Sequence, residues 1–152
     1  MNAFDKLISE FAGMTGLELA PDATDSCMLE SNGVIITIQH RSEADDVVMF
    51  APVALQDDER FSAAVYEKAL SLAYDGKGTG GAFLGLFDGA LVLSLHVPME
   101  GLDATTLGVR LTAFADVAES ISAEIAAVSA YADEPAETDG SNFLCNQVSI
   151  RV

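Results

Sequence analysis

Tryptophan is absent from this 152-residue chain, cysteine occurs twice, and lysine and arginine together occur only seven times. The scarcity of basic residues excludes a nucleic-acid binder, because phosphate recognition needs clustered Lys and Arg. An anionic membrane surface is disfavoured for the same reason. No charge-free run approaches the ~18–20 residues of a membrane helix, so no stable membrane insertion is expected. The opening MNAFDKLISEF lacks the basic and apolar regions of a secretory signal and reads instead as an amphipathic helix, which places the chain in the cytosol. Cys27 and Cys145 match no CxxC spacing, and in a reducing compartment they are expected as unpaired thiols.

Acidity and apolarity are what the chain has in quantity. Aspartate and glutamate total 24, for a formal net charge of −17, yet half the residues are hydrophobic. Acidic disordered chains are poor in apolar residues, so this composition belongs to a folded domain. The length suits one domain.

Phe4, Leu7, Ile8 and Phe11 fall at i, i+3, i+4, i+7 spacing, one face of a helix that Gly13 and Gly16 stop. Three strands are predicted next. Cys27 to Glu30 and Val34 to His40 are joined by the tight turn Ser31-Asn32-Gly33. The second places Val34, Ile36, Ile38 and His40 on one face. The third, Val47 to Val53, contains Pro52, which implies an edge position or the strand's end. Asp57-Asp58-Glu59 precedes a second helix, where acidic residues suit the positive end of the helix dipole. Phe61, Val65, Ala69 and Leu72 form its stripe, which runs to about Tyr74. After the glycine-rich Asp75–Gly81 turn, Ala82 to Phe87 and Ala90 to Val97 form a hairpin through Asp88-Gly89. Asp103 N-caps a long last helix whose apolar positions, from Leu107 to Val128, suit either a coiled-coil seam or packing on a sheet.

The order α-β-β-β-α-β-β-α with short strand links predicts an α+β fold. A mostly antiparallel, five-stranded twisted sheet carries three helices on one face. Residues 1–132 make the domain, and 133–152 an acidic linker and C-terminal tail.

Residues suited to chemistry are sparse. Gly76–Gly81 matches GxGxxG but follows a helix and opens a strand, the reverse of a dinucleotide site. His40 and His96 sit in no zinc spacing, no GxSxG elbow exists, and the acidic clusters lack the pattern of a calcium loop. No cofactor, no metal and no catalytic residue is expected.

Three stretches carry a resemblance: MFAPVALQDDERF at Met49–Phe61, GTGGAFLGLFDGALVLSLHVPMEGLD at Gly78–Asp103, and LTAFADVAES at Leu111–Ser120. With the element order, they make residues 1–130 similar to the class I type III secretion chaperones, the CesT/SycE-like chaperones of bacterial effectors. The resemblance implies a homodimer in the bacterial cytoplasm, without enzymatic activity. Such a dimer holds an extended N-terminal segment of a secreted effector stable and secretion-competent, with the secretion ATPase as a further partner. A non-enzymatic adaptor or regulatory module on the same fold is the alternative.

The resemblance also places the dimer interface on the second helix and the fourth and fifth strands, here Phe61, Val65, Leu84, Leu86, Leu91 and Leu93. Strands apolar on both faces need a second cover, which a partner copy or a client supplies. An extended client would add to an edge strand. Its side chains would fill pockets between Val34, Ile36, Val48 and Phe50, or along Phe4, Leu7, Ile8 and Phe11. The same residues serve equally as plain core.

Overall fold

The computed structural model describes residues 1–56 and 60–131. The expectations placed on Asp57-Asp58-Glu59, on Cys145 and on the 133–152 tail lie outside the described residues.

The first helix, α1 (Ala3–Thr15), starts at a capping box: Asn2 accepts from the Asp5 N–H at 2.7 Å, and the Asp5 carboxylate accepts from the Asn2 N–H at 3.0 Å. It ends on Gly16 in the left-handed region, φ 71°. Gly13 lies inside the helix. Strands β1 (Ser26–Ser31) and β2 (Val34–Arg41) form a hairpin on Asn32-Gly33, both at positive φ. β3 (Asp46–Leu55) follows, then α2 (Ala63–Ala73) and a single 3₁₀ turn, Tyr74–Gly76. Phe61 stands just outside α2, whose N-cap is Ser62. Its ring meets Tyr66 edge-on at 5.9 Å, a hydrophobic staple that fixes the angle at which the chain enters the helix. β4 (Phe83–Phe87), β5 (Ala90–Pro98) and α3 (Ala104–Tyr131) complete the chain. Asp103 caps α3, accepting from the Thr106 N–H at 2.7 Å.

The five strands are antiparallel neighbours in the order β1-β2-β3-β5-β4. β3 is therefore the central strand and runs on to Leu55, so the expected strand end at Pro52 is corrected, while the expected edge position holds locally. The proline is tolerated for a local reason. β2 pairs with β3 only from Thr37↔Phe50 to Arg41↔Asp46, so Pro52 lies past the paired stretch, opposite Val92 of β5 alone. A register shift between Pro52 and Ala54 accompanies it.

One face of the sheet carries the helices. Ile36, Ile38, Val47, Met49, Ala51 and Leu93 are buried there. α3 lies across the middle, touching β3, β2, α1 and α2. Its Leu107, Leu111, Phe114, Ala118, Ile121 and Ile125 are all buried, so the stripe packs on the sheet and forms no coiled-coil seam with a free helix. The glycine-rich turn is a packing device. A Cβ on Gly78 would lie 2.6 Å from the Leu72 carbonyl oxygen, which only glycine avoids.

Candidate functional site

Among the described residues, no helix covers the second face of the sheet. Strand alternation and the register put Met28, Ile35, Phe83 and Phe87 on it, each more than half exposed, beside half-buried Phe50 and Val92. One row runs Met28–Thr37–Phe50–Ser94–Phe83 across all five strands. At its end His96 meets the Phe83 ring edge-on at 5.8 Å. His40 points to the other face, stacked on Phe4 at 5.4 Å.

An apolar concavity lies at the β1 edge. It holds about 640 Å³ between the C-terminal end of α1, β1 and the first half of α3. Phe11, Met14, Leu17, Leu29, Val109 and Leu111 supply most of its apolar wall. Gly108 lets α1 and α3 approach: a Cβ there would touch Phe11 at 3.4 Å. Glu30 and Asp116 belong to the lining, and no Lys, Arg or His does.

The backbone beside this groove is open. A two-residue hairpin makes its closing pair, Ser31 and Val34, the hydrogen-bonded one. Leu29 and Cys27 then also bond to β2, while Ser26, Met28 and Glu30 turn outward. The Ser26 carbonyl accepts from the Asp22 N–H at 2.8 Å, so among the described residues Met28 and Glu30 remain as the free edge. An extended segment laid there can hydrogen-bond to both residues and send every second side chain into the groove.

A second apolar area surrounds α2 and β4. Leu70 and Leu86 are exposed at a small cavity of about 130 Å³ that also touches Tyr66, Ala69, Leu84 and Leu91, and Tyr74 is exposed just past the end of α2. Large exposed apolar side chains around one cavity mark a contact surface.

The sequence-predicted binding residues are distributed unevenly over these surfaces. Phe4, Leu7, Ile8 and Phe11 are buried between α1 and the rest of the core, and only Phe11 reaches the groove. Val34, Ile36 and Val48 are buried, and Phe50 is half-buried on the open face. Among the expected dimer residues, Val65, Leu91 and Leu93 are buried, Phe61 and Leu84 are half-buried, and Leu86 is exposed. The exposed apolar residues that pattern reading missed are those that break a pattern. Leu70 and Tyr74 fall off the α2 stripe, Ile35 occupies the polar face of its strand, and Met14 extends the α1 stripe by one turn. Apolar residues off the core-facing side were the available signal.

Cys27 is buried, and burial, with the Asp22 charge adding to it, pushes its thiol up to about 11. This is an inert core thiol. Among the described residues no group of three or more His, Cys, Asp or Glu converges on a metal-sized site. Within the same residues no helix is long and apolar enough to cross a membrane.

Known proteins share this architecture. The chain of the HopA1–SchA chaperone–effector complex superposes with a TM-score of 0.66 at 15% identity, covering 80% of this chain and 94% of that one. A chain of the ExsC–ExsE complex gives 0.67 at 18%, covering 80% and 92%. A chain of the Yersinia pestis type III secretion chaperone SycH with a stable fragment of YscM2 gives 0.58 at 18%, covering 78% and 98%. At these identities the likeness establishes the fold. No curated protein sequence matches the chain. The model of the Tir chaperone protein (CesT) family matches residues 6–122, most of the chain, so the protein belongs to that family of type III secretion chaperones.

Proposed function

We propose that this protein is a cytoplasmic, non-catalytic homodimer that holds an extended N-terminal segment of a secreted effector and keeps it secretion-competent. The observation that carries the reading is the free β1 edge lying directly beside the apolar groove. Edge pairing supplies main-chain hydrogen bonds that any sequence can make, and the groove adds a requirement for apolar side chains. A chaperone for an unfolded segment needs that combination. The CesT family membership and the chaperone complexes of the same fold support it.

The exposed α2/β4 area serves as the dimer contact. Its apolar side chains lie on the opposite edge of the sheet from β1, so dimerisation leaves both client edges free. The net charge of −17 keeps dimers apart while apolar surface stays available.

Hydrogen exchange tests the reading. Co-expression with the N-terminal segment of a type III secreted protein should slow exchange at the Met28 and Glu30 amides and leave the α2 amides unchanged. Protection confined to α2 and β4, with none at β1, would refute client binding at this edge.

A further inference from the structure

We propose that the segment paired to β1 carries a lysine or arginine directly opposite Glu30 and an apolar residue opposite Met28, with the alternate side chains, starting from the one opposite Leu29, apolar and facing the groove. The inference rests on the effector-binding reading and adds the chemical pattern of the client. Met28 and Glu30 are the two residues whose backbone faces the free edge, and their side chains both lie on the open face of the sheet. Whatever pairs with β1 must place one side chain across from each.

The two positions ask for different partners. Met28 is 67% exposed and ends the cross-strand row in which Met28, Phe50 and Phe83 alternate with Thr37 and Ser94, so an apolar client residue there adds to the apolar surface at that edge. Glu30 has Ile35 as its cross-strand neighbour on β2, so no cation within the sheet answers its charge. The groove, on the other face, has Asp116 in its lining and no cation among the described residues. An acidic client residue opposite Glu30 would meet like charge in a chain of net −17; a basic one completes a cross-strand ion pair. The client chemistry is thus an apolar, alternating strand with one basic residue on its open-face side.

The test uses the full chain and two fluorescent peptides that alternate valine with serine, except that leucine replaces the serines two residues before and two residues after the central one. One carries lysine at a central serine position, the other glutamate. The lysine peptide should bind about fivefold more tightly at low salt, and the advantage should shrink at high salt. Glu30→Lys should invert the order, and Glu30→Gln should abolish the difference. Glu43→Lys, an equal change of charge in the exposed turn between β2 and β3, should leave the order intact. If Glu30→Lys and Glu43→Lys shift binding alike, overall charge sets the preference and the register assignment is overturned. Equal binding of both peptides to the native protein overturns it while leaving the effector-binding reading standing. If neither peptide binds, both fall.

Discussion

Arg41 grips Asp46 across the turn between β2 and β3, with its Nε donating to Oδ1 at 2.8 Å and Nη2 closing the fork on Oδ2. The two are also the last cross-strand pair of their strands, so the ion pair clasps that end of the sheet. Arg41 Nη2 also lies 2.9 Å from His96 Nδ1, which brings β5 into the clasp. The Arg41 hydrogen bonds come first in holding the Asp46 carboxyl down at about 2, from an ordinary 3.8. His96 adds to the effect, and burial opposes it without prevailing. A carboxylate lowered by folding stabilises the fold above its unfolded value, and that contribution is lost as pH falls through the folded value. Asp46→Asn should therefore be less stable than the native chain at pH 7. The gap should narrow below about pH 4 and close near pH 2. Urea denaturation across that range reads it directly, and a gap that stays constant would remove Asp46 from the account.

Gly78→Ala should destabilise by about 1–3 kcal/mol, because the new methyl group meets the Leu72 carbonyl oxygen and neither backbone can yield cheaply. Gly81→Ala has open space around it and only its φ of +84° to oppose it, so it should cost about 1 kcal/mol. Thermal denaturation of the two variants should rank them in that order.

Leu93→Asp places a charge at a fully buried position between Ala51 and Leu84. A loss of about 4 kcal/mol or more is expected, enough to unfold a domain of ordinary stability. Circular dichroism should show lost structure. A folded monomer would mean that Leu93 belongs to the interface rather than the core.

Leu70→Glu with Leu86→Glu changes two exposed residues, so the fold should survive. If α2 and β4 form the dimer contact, light scattering should fall from two 15.9 kDa chains to one. A dimer of undiminished mass would move the interface elsewhere.

Val109→Glu puts a charge on an exposed wall of the groove. Stability should change by less than about 0.5 kcal/mol, while affinity for an apolar strand should drop about tenfold. Isothermal titration with an effector segment would measure the loss.

The element order, the hairpin turns at Asn32-Gly33 and Asp88-Gly89, the Asp103 cap and the apolar stripe of α3 were all legible in the chain itself, though not what that stripe packs on. Each rests on local chemistry: positive φ, an orphan N–H, or a 3.6-residue period. The position of Pro52 was legible in part: its missing N–H marked a place without a partner on one side, but not that the strand continues or how far its neighbour extends. The binding surfaces were legible only in part. Periodicity identifies the face a helix buries, so it selected Phe4, Leu7 and Ile8, which the core consumes. The groove forms where Phe11, Leu29 and Val109 converge from segments far apart in sequence, and no local pattern encodes that meeting. Sequence by itself determined the elements and the family. Tertiary structure alone decided which apolar residues are hidden and which remain for a partner, because burial depends on what the rest of the chain covers.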